Sequence, residues 1–182
     1  MKGFVFTELT ELAERKFGED AMDTVFDNVE LSSGGAYTSV GYYAAEELNT
    51  LVVELAKRQS ICPQVLVHGF GEHLFSQFER QFPHFFTDVD NAFDFLAQVD
   101  GVIHVEVRKL YPDAELPRFE CSIEGDRMVI EYFSPRGLAD LASGLIDACV
   151  AYYGGGIAVK REDLAPTPAA HSRFELTRQR PT

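Results

Sequence analysis

Apolar residues recur at helical spacing through roughly the first hundred positions, then alternate, then return to helical spacing in one long stripe. That order of periods limits the fold more than any other property of the chain. Val5, Leu9, Leu12 and Lys16 share a helical face, with Ala13 and Phe17 beside them, and Gly18 is placed to end that helix. Ala21, Met22, Val25, Phe26 and Val29 read as a second, short amphipathic helix, followed by a turn-rich stretch over 31–41. Leu48, Leu51, Val52 and Leu55 form a third stripe ending near Ser60. Pro63 suits the first turn of a fourth helix, continued by Val65, Leu66, Phe70, Leu74 and Phe78. Phe93, Leu96, Val99 and Ile103 suggest another helix running toward His104, and Pro112 and Pro117 break the stretch after it. Residues 118–123 and 127–133 read as two strands around Glu124, Gly125 and Asp126. Leu138, Leu141, Ala142, Leu145, Ile146, Cys149 and Val150 then make the clearest helical stripe, stopped by Gly154 to Gly156. Short strands near 157–161 and 172–178 complete a small antiparallel sheet. Helices first and strands around one long helix later argue for an α+β fold, not alternating βαβ units.

The chain is 182 residues long and 46% hydrophobic, enough for one domain with a core that can also enclose a ligand. No internal repeat divides it. Phe is abundant at 15 and Trp is absent, which suits either ordinary packing or a large flat apolar ligand. The net charge of −13 disfavours nucleic acid and anionic membranes as partners. No apolar run approaches the ~20 residues of a membrane span, and the start lacks the apolar core of a signal peptide. Cys62, Cys121 and Cys149 are widely spaced, without a Cys-x-x-Cys pair for structural zinc. A reduced, cytoplasmic protein is the expectation.

Two segments carry candidate chemistry. If Tyr132 to Arg136 is extended, Tyr132, Ser134 and Arg136 point the same way and present two hydroxyls and a guanidinium fork. That set suits a dicarboxylate ligand, although such a run is also ordinary at an exposed strand edge. His104 sits in the apolar run Val102 to Val107. A lone buried histidine is most often a satisfied core residue; the alternative is the single axial ligand of a haem. Gly69-Phe70-Gly71 lies within a helical stripe and makes a poor phosphate loop. His68 and His73 fall on different helix faces, so a joint metal site is not expected there.

Taken together, these pieces resemble the haem nitric oxide/oxygen binding (H-NOX) family over most of the chain. The resemblance rests on Met1-Lys2-Gly3, Phe17-Gly18, Ile103-His104-x-Glu106-Val107-x-Lys109-Leu110-Tyr111-Pro112, Leu116-Pro117-x-Phe119, and Tyr132-x-Ser134-x-Arg136 followed by Gly144-Leu145-Ile146. It implies one haem b domain over 1–182, with a helical distal part of about 1–62, a proximal part of about 63–182 with sheet and long helix, and the haem buried between them. His104 then corresponds to the proximal iron ligand, Tyr132, Ser134 and Arg136 to the propionate-binding motif, and Pro117 to the proline that presses on the haem. Oxygen-binding members carry a distal tyrosine five residues after the motif arginine, where this chain has Leu141. Leu9 and Leu74 align with two supporting distal positions, and Val5 joins them as a pocket residue. A leucine-lined pocket implies ferrous binding of nitric oxide and carbon monoxide without a stable dioxygen complex, unless Tyr37, Tyr42 or Tyr43 folds in as a donor.

The resemblance further implies a sensor and not an enzyme. Nitric oxide weakens the bond to His104, the haem relaxes against Pro117, and the two parts shift. With no output domain after the sensor, the signal passes by contact to a partner such as a histidine kinase or a cyclic-di-GMP enzyme. A haem or dioxygen carrier, or an interaction domain that has lost haem, are the alternatives on the same fold. No zinc is expected, because no cysteine comes after Cys149.

Overall fold

The computed structural model describes residues 1–165 and 170–179. Its helices are α1 (Gly3–Phe17), α2 (Ala21–Phe26), α3 (Ala45–Arg58), α4 (Pro63–Gln81), α5 (Ala92–Gln98), α6 (His104–Leu110) and α7 (Ala139–Tyr152), with a 3₁₀ turn at Pro83–Phe85. The strands are β1 (Arg118–Glu124), β2 (Arg127–Ser134), β3 (Ile157–Ala165) and β4 (Ala170–Arg178). They form one antiparallel sheet in the order β1-β2-β4-β3, with Tyr132 opposite Ser172 and Ile130 opposite Phe174. The α+β order expected from the periodicities is the one observed. No described helix is long and apolar enough to cross a membrane.

Two apolar clusters organise these elements. The first is built from Phe6, Leu9, Leu12, Met22, Leu51 and Leu55 on α1–α3, closed by Leu66, Phe70 and Leu74 of α4. The second joins Phe93 and Leu96 of α5, Ile146 and Cys149 of α7, and the inner sheet face of Met128, Ile130, Phe174 and Leu176. Strand alternation produces that inner face: Met128, Ile130, Tyr132 and Ser134 are buried, while Val129, Glu131 and Phe133 between them are only partly so. Helix α4 serves both clusters, since the neighbouring Phe75 belongs to the second.

The seam between the clusters is a backbone contact. Gly71 of α4 and Gly144 of α7 face each other, and a Cβ on Gly144 would fall on the His68 carbonyl oxygen, one on Gly71 on the Leu141 carbonyl oxygen. Here glycine is required by close approach of two helices, not by turn geometry.

The segment around His104 is more elaborate than its pattern suggests. The stripe from Phe93 reads as one helix toward His104, but the chain forms α5, a π-helical stretch over Val99–Ile103, and then α6. The wider turn spans Gly101 and leads directly into the helix that begins at His104. Helix α6 was hidden because Val102 and Val105 are 46% and 38% exposed. They blur the apolar stripe that would mark it.

Candidate functional site

His104 opens α6 and is buried, with 9% of its surface exposed. Its Nδ1 lies 3.3 Å from the Asp100 carboxylate, one helical turn earlier, and Asp100 also accepts the Phe119 N–H at 3.4 Å. This is its one hydrogen bond among the described residues, so Nε2 is left uncommitted. Burial lowers the His104 pKa, with Asp100 partly opposing, and favours the neutral imidazole that can bind a metal. A carboxylate on the far ring nitrogen is the usual way such a ligand is oriented.

The Phe119 ring meets His104 edge-on at 5.7 Å and Tyr132 at 5.2 Å, tying α6 to the inner sheet face. Tyr132 is 2% and Ser134 is 5% exposed. Burial raises the Tyr132 pKa, so the phenol keeps its proton and can donate. Ser134 Oγ accepts the Arg136 N–H at 3.2 Å, which fixes the turn leaving β2. Gly137, at φ 65°, completes that turn.

Arg136 already grips a carboxylate. Its guanidinium donates to the Glu115 carboxylate at 2.6 Å and to the Glu115 carbonyl oxygen at 3.0 Å. The Arg136 side chain is 20% exposed and that of Glu115 is 74% exposed, so the fork is fixed and its partner is displaceable. The Met1 amine donates to the Tyr43 carbonyl oxygen at 2.6 Å. Burial first, and then the charge of Arg136, lowers its pKa. The donor set therefore fits a haem: one neutral buried imidazole with a free nitrogen, and a guanidinium fork arranged for a carboxylate such as a propionate. Asp100 and Glu115 were missed by the sequence pattern. Asp100 had a signal, since it stands four residues before His104 in a helical stretch; Glu115 had none.

Four of the other candidates belong to or pack against the first cluster. Leu9 and Leu74 are fully buried in the first cluster, and Val5 and Leu141 pack against it half-buried. Pro117 lies half-buried in the irregular stretch before β1. Of the three candidate tyrosines, Tyr37 is committed as a donor. Tyr37 donates to Glu47 at 2.7 Å, Tyr43 accepts the Thr38 N–H at 2.8 Å, and Tyr42 is 48% exposed beneath Lys2. Glu47 itself is buried, with no cation beside it among the described residues. Burial alone would raise its pKa, but hydrogen bonds from Ser32, Ser33 and Tyr37 hold it down to about 2.

A family model described as Haem-NO-binding matches residues 2–161. Among solved structures, the ferrous unliganded H-NOX protein from K. algicida superposes with a TM-score of 0.93 at 30% identity, covering 100% of this chain and 98% of that one. The H-NOX from Shewanella woodyi, determined in solution in its ferrous carbon monoxide state with IWP-051 bound, gives a TM-score of 0.82 at 39% identity over 98% and 94% of the two chains. A ferrous triple mutant of the S. oneidensis H-NOX gives 0.89 at 25% identity, over 99% and 97%. No match is found among curated proteins.

Proposed function

The chain belongs to the Haem-NO-binding family, and from that premise we propose that it is a haem b-based nitric oxide sensor whose iron ligand is His104. The observation that carries this reading is the pairing at His104: a buried imidazole with Nδ1 held by Asp100 and Nε2 free. When bound, haem supplies a ferrous iron with one open position for a diatomic gas. The protein supplies everything else. Asp100 fixes the ring and tautomer of His104. Tyr132, Ser134 and Arg136 would hold the propionates, in the place that Glu115 takes on Arg136. Val5, Leu9, Leu74 and Leu141 would wall the gas side, and Pro117 would pack against the haem.

Nitric oxide and carbon monoxide need no hydrogen-bond donor, whereas bound dioxygen does. The leucine wall, and the donation of the Tyr37 hydroxyl to Glu47, support selection of the first two. The signal passes by contact to a partner, such as a histidine kinase or a cyclic-di-GMP enzyme, that reads how the two clusters sit across the Gly71–Gly144 seam. That partner's bias is limited by its differential affinity for the two arrangements.

The test is a ferrous spectrum of the reconstituted protein. A strong Soret band that shifts with nitric oxide is expected, and His104→Ala is expected to lose the ferrous spectrum and regain part of it with added imidazole. An unchanged ferrous spectrum in His104→Ala overturns the ligand assignment. Equal partner activity with unliganded and nitric oxide-bound protein overturns the sensor reading for that partner.

A further inference from the structure

Three polar side chains without a role in gas binding meet between α1 and α4. Glu8 and His73 are 5% and 8% exposed, well inside an apolar interface. His73 Nε2 lies 2.7 Å from the Glu8 carboxylate, and Nδ1 lies 2.8 Å from a guanidinium nitrogen of Arg15. A guanidinium only donates, so Nδ1 accepts, and the ring proton sits on Nε2 and is donated to Glu8. The ring is stacked on Phe70 at 6.4 Å and 21°.

Glu8 and Arg15 are seven residues apart, about two turns along one stripe of α1. The helix therefore grips the imidazole at two heights. Sliding α1 by one residue, ~1.5 Å, would break both bonds and leave a buried carboxylate and a buried N–H without partners. Each inner member stands beside a wall residue: Glu8 directly precedes Leu9, and His73 directly precedes Leu74. The Arg15 end is the softer one, because Arg15 and His73 line a surface cleft of about 310 Å³.

We propose that Glu8, His73 and Arg15 form a register clamp that sets the spacing and axial register of α1 against α4, and through it the positions of Leu9 and Leu74 on the gas-binding side. They are positioning residues. The inference rests on the reading of Leu9 and Leu74 as walls of that side. A buried pair of purely structural value would change stability when cut. The clamp also changes gas access, and glutamine at position 8 rescues it, because its carbonyl oxygen still accepts from Nε2–H.

The experiment compares haem-loaded wild type with Glu8→Ala, Glu8→Gln, Arg15→Gln and the surface control Glu14→Ala. Carbon monoxide association rates, the C–O stretching band and amide exchange along α1 are measured. Glu8→Ala is expected to change the association rate by about threefold or more and to split or broaden the band. Arg15→Gln should act in the same direction more weakly, and Glu8→Gln and Glu14→Ala should stay near wild type. Ring ¹⁵N shifts of His73 should place the proton on Nε2. A Glu8→Ala variant that melts earlier but keeps the wild-type rate and band overturns the clamp, as does a proton on Nδ1. If Glu8→Ala does not fold, Arg15→Gln decides: a shifted rate upholds the clamp and a wild-type rate overturns it. If the wild type takes up no haem, the gas-binding reading fails instead. Amide exchange then judges the clamp: faster exchange along α1 in Glu8→Ala but not in Glu8→Gln upholds it, and equal rates overturn it.

Discussion

The two sides of the proposed haem site solve opposite problems. On the His104 side, polar groups point inward from regular elements: an imidazole at the head of α6, and a phenol and a hydroxyl on the inner face of β2. Asp100 aims His104, and the turn after β2 ties Ser134 to Arg136. On the leucine side the polar groups are just as numerous but are tied off behind the wall. Glu8 and His73 satisfy each other, and Tyr37 satisfies Glu47. The difference teaches that a site without donors is not a site without polar residues. It is one whose polar residues already have partners, because an unpaired one would be costly to bury and would compete for the ligand.

The sharpest way to break that contrast is to put a donor on the leucine side. Leu141→Tyr should produce an oxy-ferrous species in air that lasts long enough to record, where the wild type shows an unchanged five-coordinate spectrum or slow oxidation. A stable oxy complex in the wild type would mean that the leucine side has a donor after all. The polar side can be weakened in turn. Arg136→Ala should speed haem loss to a scavenger protein by about tenfold, discounted from the value of a fully buried charged hydrogen bond because Arg136 is partly exposed. Tyr132→Phe and Ser134→Ala should each have smaller effects, since their hydrogen bonds are neutral. Equal loss rates for wild type and Arg136→Ala would make Arg136 a surface ion-pair residue only.

The seam between the two sides can be wedged. Gly144→Ala places a methyl on the His68 carbonyl oxygen and should lower stability by about 1–3 kcal/mol, read as a shifted denaturant midpoint. A midpoint matching wild type would show that α4 and α7 can separate without cost. The smallest effect is one of pH. The Glu47 pKa is depressed from 4.5 to about 2 in the folded chain. Its contribution is therefore complete above the unfolded value and is lost as pH falls from about 4.5 toward 2. Glu47→Gln should remove about one proton's worth of slope from the acid limb of stability against pH. An identical acid limb in the variant would show that Ser32, Ser33 and Tyr37 do not hold the carboxylate ionised.

The sequence pattern reached Tyr132 and Ser134 because a strand repeats every second residue, whereas Arg136 lies in the turn after β2 and not on the extended run that its spacing suggested. Tyr132 and Ser134 must then share a face whatever packs on it, and Met128 and Ile130 mark that face as the buried one. The same logic failed around His104, where a π-helical turn interrupts the stripe and exposed valines blur the start of α6. No local pattern announces such a turn, because its wider spacing is decided by what the helix must fit against.

What the sequence determined by itself was the order and type of the elements, the alternating face of β2 and the candidacy of His104. All of these depend on neighbours a few positions apart along the chain. Only the tertiary structure decided that Glu115 sits on Arg136 from 21 residues away, that His73 joins Glu8 across 65, and that Gly144 lies against His68. Those contacts depend on which helix faces meet at the seam between the two clusters. Hydrophobic periodicity says that a face is buried but not what lies opposite it, because apolar burial is non-directional. Partners for polar groups are chosen by distance and angle, which exist only once the chain has closed on itself.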